Sequence, residues 1–409
     1  MTEPADVRGR TSFFALPFGE SWRAWVALAV GVVVISGHTA SSYTLAVLMK
    51  PILAEFDWLR SEFALARFFR VGAMTLTLLA VGHLTDRFGA RFVFVVGALV
   101  IGAGTLATAV MSSLPQFFAI MTAMGPGQAC VGAVAASALV LRQFRRRKGL
   151  AIGVLNGGDN LLSSALPLAI TAIAVPHGWR AAVGTLGCLY FLLVALVLVV
   201  LRPQEGSDGR AAGHAAGSRS WSELPWRDAR LWLLCGAYFL IYAFITSLVL
   251  HLHAFVTDLG HSREQASRVF SSLILVGAVG APLFGWLSER ITARATLLAL
   301  VVGLTLNSIV LWSEPSYETL LLWALSYGLV NSGVVAVLAL ALAEIFGAAQ
   351  IGRLMGVAMT FCMAATMLGD VYTAAMFDWF GSYVPVWRSY TVLMTFTLVP
   401  VTLLLRRAR

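Results

Sequence analysis

A short charged turn at residues 82–91 recurs at residues 285–294, and long apolar runs flank both copies. The copies match glycine with glycine, an acidic residue with an acidic residue, and two arginines with two arginines. Residues 149–154 and 352–357 form a second matched pair at the same displacement along the chain, and so do Gly125 and Gly328. A constant displacement over this distance indicates two homologous halves in parallel orientation.

Hydrophobic residues make up 59% of the 409-residue chain and charged residues 12%, and the mean hydropathy is +0.82. Soluble proteins carry a charge on roughly a quarter of their residues. The composition therefore predicts an integral membrane protein. The net charge of +9 is spread through short loops without interleaved aromatic residues, so we expect no nucleic-acid partner.

Twelve apolar runs are long enough to cross a bilayer, which takes about 20 helical residues. They cover residues 24–47, 62–83, 92–112, 115–141, 149–175, 181–201, 230–256, 264–287, 294–312, 317–343, 351–376 and 386–405. We predict an all-α membrane protein with two pseudo-symmetric six-helix bundles, at residues 1–201 and 230–409, joined by a cytoplasmic linker at 202–229.

Most of the 29 lysine and arginine residues fall at the two ends of the chain, in the linker and after the even-numbered spans. The positive-inside rule then places both termini in the cytoplasm, for a multi-pass protein of the inner or plasma membrane. The linker and the other turns are too short for a catalytic domain. The chain shows no convergent set of nucleophile, base or metal ligands, so we expect neither an enzyme nor a cofactor or metal site.

The Gly-x-x-x-Asp-Arg-x-Gly-x-Arg turn that begins at Gly82, its weaker copy and the six-plus-six division together resemble the major facilitator superfamily over nearly the whole chain. This resemblance implies two bundles that rock about a midplane site and expose it to each side in turn. Residues 280–285 on the eighth span are similar to those of monocarboxylate and oxalate–formate carriers. Those carriers have an arginine that clamps the substrate carboxylate where this chain has Ala281.

Four polar residues on the fifth span recur at helical spacing and so share one face: Asn156, Asp159, Asn160 and Ser163. An ionised side chain near the bilayer centre costs about 2.5 kcal/mol or more, so one that is retained usually faces a wet cavity or a partner. We expect Asp159 to bind a cation or accept a proton. The alternative is a polar knot that fastens this helix to a neighbour through hydrogen bonds.

His38 lies near the middle of the first span, with Tyr43 shortly after it. Histidine is a natural proton carrier, although a lone histidine can equally be a core residue that is satisfied by hydrogen bonds. Tyr242 and Thr246 fall near the matching depth on the seventh span and add polar groups. We place all four in the substrate or coupling site.

Arg67 and Arg70 are three residues apart on the second span, one or two turns below its outer end. Guanidinium groups suit carboxylate or phosphate oxygens, so the pair could attract an anion. The alternative, stronger for Arg67, is that the side chains reach outward to lipid headgroups. Asp370, near the outer end of the eleventh span, could cap, pair or gate.

Two further patterns lead to simpler predictions. Gly149, Gly153 and Gly157 are four residues apart, which favours close helix packing. His251 and His253 point to different sides of one helix and make a poor metal pair. We expect them at the membrane–water interface on the outer side of the bilayer.

The charged turns lie where one helix ends and the next begins, so their charges can interact with helix termini and with the opposite bundle when the inner side closes. Only a contact that depends on conformation can bias an equilibrium between two states. We therefore predict gating roles for Gly82, Asp86, Arg87, Arg91, Glu289 and Arg290. Anchoring at the inner membrane surface is the alternative for the arginines.

These features together predict a secondary transporter that moves a small organic anion, such as a monocarboxylate, in symport with protons. The sequence has no phosphate-binding loop, so we do not expect transport to be driven by ATP. The expected partners are the solute, protons and the lipid bilayer, and we expect a monomer. Ala281 and the content of 12 Trp and 24 Phe favour an alternative, the efflux of amphipathic, drug-like compounds by proton antiport.

Overall fold

The computed structural model describes residues 21–144, 148–201, 224–347 and 350–406. Nearly all of these residues lie in fourteen α-helices. The helices are α1 (Trp22–Phe56), α2 (Arg60–Ala109), α3 (Leu114–Cys130), α4 (Ala133–Gln143), α5 (Lys148–Ser164), α6 (Leu166–His177), α7 (Trp179–Val200), α8 (Ala229–Asp258), α9 (Arg263–Arg290), α10 (Ala293–Val310), α11 (Tyr317–Ser332), α12 (Val334–Phe346), α13 (Ile351–Phe380) and α14 (Val384–Arg406).

The helices differ from the predicted spans at particular residues. The fourth, fifth and tenth predicted spans are each broken in two, the fifth at Ala165, where Pro167 in the first turn of α6 cannot donate a backbone hydrogen bond. The second and third predicted spans run together as α2. They bend at Gly89, whose φ of 80° and ψ of 154° are outside the helical region. A residue with a side chain rarely adopts this φ, which explains the glycine in the charged turn.

Ten helical segments of the described chain are long and apolar enough to cross a membrane. One of them, α2, has 50 residues, enough for two crossings at 1.5 Å per residue. The 23-residue α14 is not one of the ten and supplies a further helix of crossing length. The prediction of an all-α protein with twelve transmembrane helices is thereby confirmed.

The helices form two bundles, α1–α7 and α8–α14. In the first bundle α2 packs on α3 and α7, and in the second α9 packs on α11 and α13 packs on α8. Gly125 and Gly328 show how closely the two halves match. A Cβ on Gly125 would overlap the carbonyl oxygen of Arg70, and one on Gly328 would overlap that of Leu273. Residues 202–223 of the predicted linker lie outside the described residues, and α8 begins at Ala229.

We call the side with the turns at 57–59, 110–113, 259–262, 311–316 and 381–383 the upper face. The side with the bend at Gly89 and the turn at 291–292 is the lower face. Between described residues, the hydrogen bonds and ion pairs that join the two bundles all lie in the upper halves. Asp258 of α8 accepts from Lys50 and Arg60, each at 2.7 Å, and Asp378 of α13 accepts from the first backbone N–H groups of α2.

Several glycines near the lower face border open space. The prediction that Gly149, Gly153 and Gly157 pack closely is wrong for this conformation, because a Cβ on any of them would have no atom within 4 Å. The same holds for Gly352 and Gly356 of α13, the repeat counterparts of the first two. The polar contacts between the bundles therefore lie on the upper side, while these glycines near the lower face have open space beside them.

Candidate functional site

A cavity of about 160 Å³ lies between the bundles at mid-depth. Helices α1, α2 and α3 contribute one wall, and α8 and α13 contribute the other. Its lining residues are His38, Ser42, Arg67, Arg70, Val71, Met74, Gln128, Tyr242, Thr246, Met363 and Thr366. Donor groups thus surround a small space whose remaining surface is aliphatic or thioether.

Arg70 is the main charged group of the first wall, and only 2% of it is exposed. Its Nε donates to Oε1 of Gln128 at 2.9 Å, and its terminal nitrogens donate to the carbonyl and hydroxyl oxygens of Ser41. No carboxylate among the described residues pairs with it. A buried charge without a counter-ion is costly, and an anion in the cavity would supply that counter-ion.

The repeated glycine on α3 positions this arrangement. Because Gly125 lets α3 approach the backbone of α2 at Arg70, the next helical turn brings Gln128 against the guanidinium. The Gln128 amide is held in its orientation, since its Nε2 donates to the Ser42 hydroxyl at 2.8 Å. Sequence reasoning missed Gln128, although an amide three residues after a repeated glycine was an available signal.

Arg67, one turn above Arg70, forms a salt bridge with Asp370 of α13 across the bundle interface. The Asp370 side chain is fully buried, and its Oδ1 has no hydrogen-bond partner. Arg67 does not reach outward to lipid headgroups, because α13 presents a carboxylate on the inner side of α2. The three possibilities for Asp370 thus resolve to pairing in this conformation.

His38, Tyr242 and Thr246 come together around the cavity with Arg70. The Nδ1–H group of His38 donates to the Gln128 carbonyl at 3.0 Å. Thr246 donates to the carbonyl of Tyr242 at 2.7 Å. The Tyr242 hydroxyl has no partner among the described residues, so it is free to donate to a ligand.

The other four predicted site residues do not line this cavity. The Asp159 carboxylate accepts from Ser36 at 3.1 Å, Thr39 at 3.2 Å and Ser163 at 2.8 Å, which links α5 to α1 within one bundle. These contacts agree with the polar knot described above. Asn156 is exposed, Asn160 faces Gly277 of α9, and the Tyr43 ring lies 5.0 Å from that of Phe270 on α9.

The residues predicted to gate make contacts within their own bundles in this conformation. Asp86 pairs with Arg142, and Arg91 donates to the carbonyl of Leu198 at 2.8 Å. The guanidinium of Arg87 lies 5.2 Å from the ring of Phe88, and that of Arg290 lies 5.3 Å from the ring of Trp286. Gly82 has open space where a side chain would stand, and Glu289 is exposed.

His251 and His253, which we expected at the outer membrane–water interface, are buried inside the protein. They are 0% and 3% exposed, and Nδ1 of His251 lies 2.8 Å from the Tyr383 hydroxyl. Helix α8 packs against α1, α9, α13 and α14, so most of its faces are covered. In the described part of the chain, no group of three or more metal-ligating side chains is found.

A family model for the Major Facilitator Superfamily matches residues 31–262 and again residues 234–409. Monocarboxylate transporter 13 of Rattus norvegicus is 24% identical over 310 residues, which cover 73% of this chain and 70% of that protein. The oxalate:formate antiporter of Oxalobacter formigenes is 25% identical over 316 residues, which cover 73% and 72%.

The fold also matches a crystal structure of a bacterial homologue of the human lysosomal transporter Spinster, in an inward-facing and occupied conformation. The TM-score is 0.72 at 14% identity, and the match covers 94% of this chain and 97% of that one. The duplicated helices, the cavity between two bundles and the two matches to the family model lead to one conclusion. This chain belongs to the major facilitator superfamily and is a multi-pass membrane transporter rather than an enzyme.

Proposed function

We propose that this protein is a secondary active transporter that moves a small organic anion, such as a monocarboxylate, by alternating access. The observation that carries this proposal is Arg70, a buried guanidinium that faces the cavity with no carboxylate partner among the described residues. A substrate carboxylate would supply the missing counter-ion and could accept two parallel hydrogen bonds from the planar guanidinium.

The remaining lining suits the rest of such a molecule. The hydroxyl of Tyr242 can donate to a second substrate oxygen, while Val71, Met74 and Met363 can cover a short carbon chain. The relatives named for monocarboxylates and for oxalate and formate support the same substrate class. In this proposal Arg70 on α2 binds the substrate carboxylate, the role that the similar carriers assign to an arginine at the position of Ala281 on α9.

We propose protons as the coupling ion and Asp159 as their carrier. Asp159 is half-buried on α5, and its carboxylate accepts hydrogen bonds from hydroxyl donors on two helices, α1 and α5. Carboxylates within the membrane commonly serve as proton relays in pumps and transporters. The basic residues near the lower face favour a cytoplasmic lower face, with both termini on that side, and we expect a monomer.

Efflux of amphipathic compounds receives less support. Cationic drugs would require a carboxylate at the binding site, and no aspartate or glutamate in the described part of the chain lines the cavity. The tryptophan and phenylalanine residues that favoured this alternative lie elsewhere, since none of those described in the structure lines the cavity.

Flux into proteoliposomes tests the proposal. Purified protein would be reconstituted, and uptake of radiolabelled formate, propionate and lactate would be measured with and without an inward proton gradient. The organic cation tetraphenylphosphonium and protein-free liposomes serve as controls. We expect saturable uptake of the monocarboxylates that the gradient increases. Uptake of tetraphenylphosphonium with no uptake of any carboxylate would contradict the proposal.

A further inference from the structure

The salt bridge between Arg67 and Asp370 is a structural part of the cavity as well as a bundle contact. Arg67 lines the cavity, and Asp370 lies directly behind it on the opposite bundle. The Asp370 side chain is 0% exposed and that of Arg67 is 13% exposed, so little solvent screens the pair. Charges in such a place strongly affect one another and any third charge that enters.

The upper face offers a comparison for this pair. Asp258 also joins the bundles, through Lys50 and Arg60, but its side chain is 26% exposed and that of Lys50 is 36% exposed. Exposed pairs of this kind contribute little, because water screens them. Asp258 thus resembles Asp370 in chemistry and in joining the same two bundles, but it lies near the protein surface, away from the cavity lining.

Counting the ionised groups at the cavity gives its net charge. Arg67 and Arg70 each contribute a positive charge, and Asp370 cancels that of Arg67. His38 is counted as neutral, because its Nδ1–H group donates to a backbone carbonyl and no carboxylate among the described residues pairs with its ring. One positive charge, that of Arg70, is therefore left for a ligand to neutralise.

We propose that Asp370 is the residue that sets the charge of the transported substrate, because it occupies Arg67 and leaves one guanidinium for a single carboxylate. The inference rests on the proposed function, since it assumes that the cavity takes organic anions. A second substrate carboxylate would have to displace Asp370 from Arg67 and leave its carboxylate buried without a counter-ion, which is strongly unfavourable. A variant without this carboxylate would accept dianions.

Four forms of the protein separate charge from any other role of these side chains. The unaltered protein has one net positive charge at the cavity, Asp370→Asn has two, Arg67→Gln has none, and the double variant again has one. If net charge decides, the double variant should regain the preference of the unaltered protein, although it has lost the same bundle contact as both single variants. Asp258→Asn is the matched control for loss of a carboxylate between the bundles.

The test measures inhibition of labelled propionate exchange in proteoliposomes by unlabelled propionate and malonate, which have equal carbon number and differ by one carboxylate. We expect propionate to be preferred by the unaltered protein, by Asp258→Asn and by the double variant. Asp370→Asn should shift the ratio toward malonate by about tenfold or more, as expected for one extra charge at short range. Arg67→Gln should bind both anions weakly.

The outcomes separate the two proposals. If the unaltered protein exchanges propionate and Asp370→Asn keeps the same ratio, the inference on charge selection is wrong and the proposed function stands. If the unaltered protein takes neither anion, the proposed function is wrong and this inference falls with it. Should Asp370→Asn not fold, the comparison of Arg67→Gln with the double variant decides, because a double variant that does not recover propionate exchange also refutes the inference.

Discussion

Replacing Arg70 by glutamine should separate substrate affinity from folding. The change removes the unpaired positive charge of the cavity while keeping a polar side chain that can still reach Ser41 or Gln128, the present partners of Arg70. Two unit charges 4 Å apart attract by about 4 kcal/mol at an effective dielectric constant of about 20. Since desolvation of the incoming carboxylate offsets part of this, we expect affinity for propionate to fall by about 10²- to 10³-fold.

The same variant should unfold under almost the same conditions as the unaltered protein. A charged side chain at the bilayer centre costs about 2.5–3.5 kcal/mol, and each hydrogen bond to a charged group contributes about 1.5–3 kcal/mol. The substitution removes both the cost and part of the gain. The two terms largely cancel, so the unfolding midpoint without ligand should be unchanged or slightly raised.

Differential scanning fluorimetry in detergent, with and without propionate, measures both quantities. Ligand that binds the folded state raises the midpoint by an amount that depends on its concentration relative to Kd. We expect this rise in the unaltered protein and its loss in Arg70→Gln. Arg180→Gln is the control, because Arg180 pairs with Glu55 at the upper surface, where both side chains are well exposed. Equal ligand-induced shifts in Arg70→Gln and the unaltered protein would refute the role of Arg70.

Three further predictions address coupling, packing and gating. Asp159→Asn should abolish accumulation driven by a proton gradient in proteoliposomes and leave counterflow exchange intact; accumulation that persists at every pH would exclude Asp159 as the proton carrier. Gly125→Leu should fail to give monodisperse protein on size-exclusion chromatography, because the leucine side chain would overlap the α2 backbone at Arg70. The control Gly153→Leu should fold, and equal behaviour of the two variants would contradict the packing described here. Asp86→Asn, which removes the partner of Arg142, should slow propionate exchange at saturating substrate with little change in affinity, and a change in affinity alone would argue against a gating role.

The sequence predicted those features that depend on the chain's own repetition. The duplicated turns predicted two bundles. Gly89 has a positive φ that glycine readily adopts, and Gly125 and Gly328 lie where a side chain would overlap a neighbouring helix. The break at Ala165 was not predicted, because a proline inside an apolar run can be tolerated or can end a helix, and its packing decides which.

The sequence predicted how deep the candidate site residues lie in the membrane, but not which neighbours their side chains contact. Position along the spans placed His38, Tyr242 and Thr246 near mid-membrane and Arg70 nearer the outer side, and the structure brings them around one cavity. The same reasoning placed Asp159 at that depth without revealing which neighbour its face meets. Arg67 and Asp370 belong to different halves of the chain, and no spacing rule connects residues so far apart.

The glycines of α5 and α13 that face open space in this conformation have a consequence for pharmacology. A crevice bounded by bare backbone presents a smooth wall that a flat, rigid molecule can lie against. Such a molecule, bound beside Gly153 or Gly356, would prevent the bundles from closing at the lower face without competing with substrate for Arg70. Inhibition of this kind would lower the maximal rate and would not be overcome by more substrate.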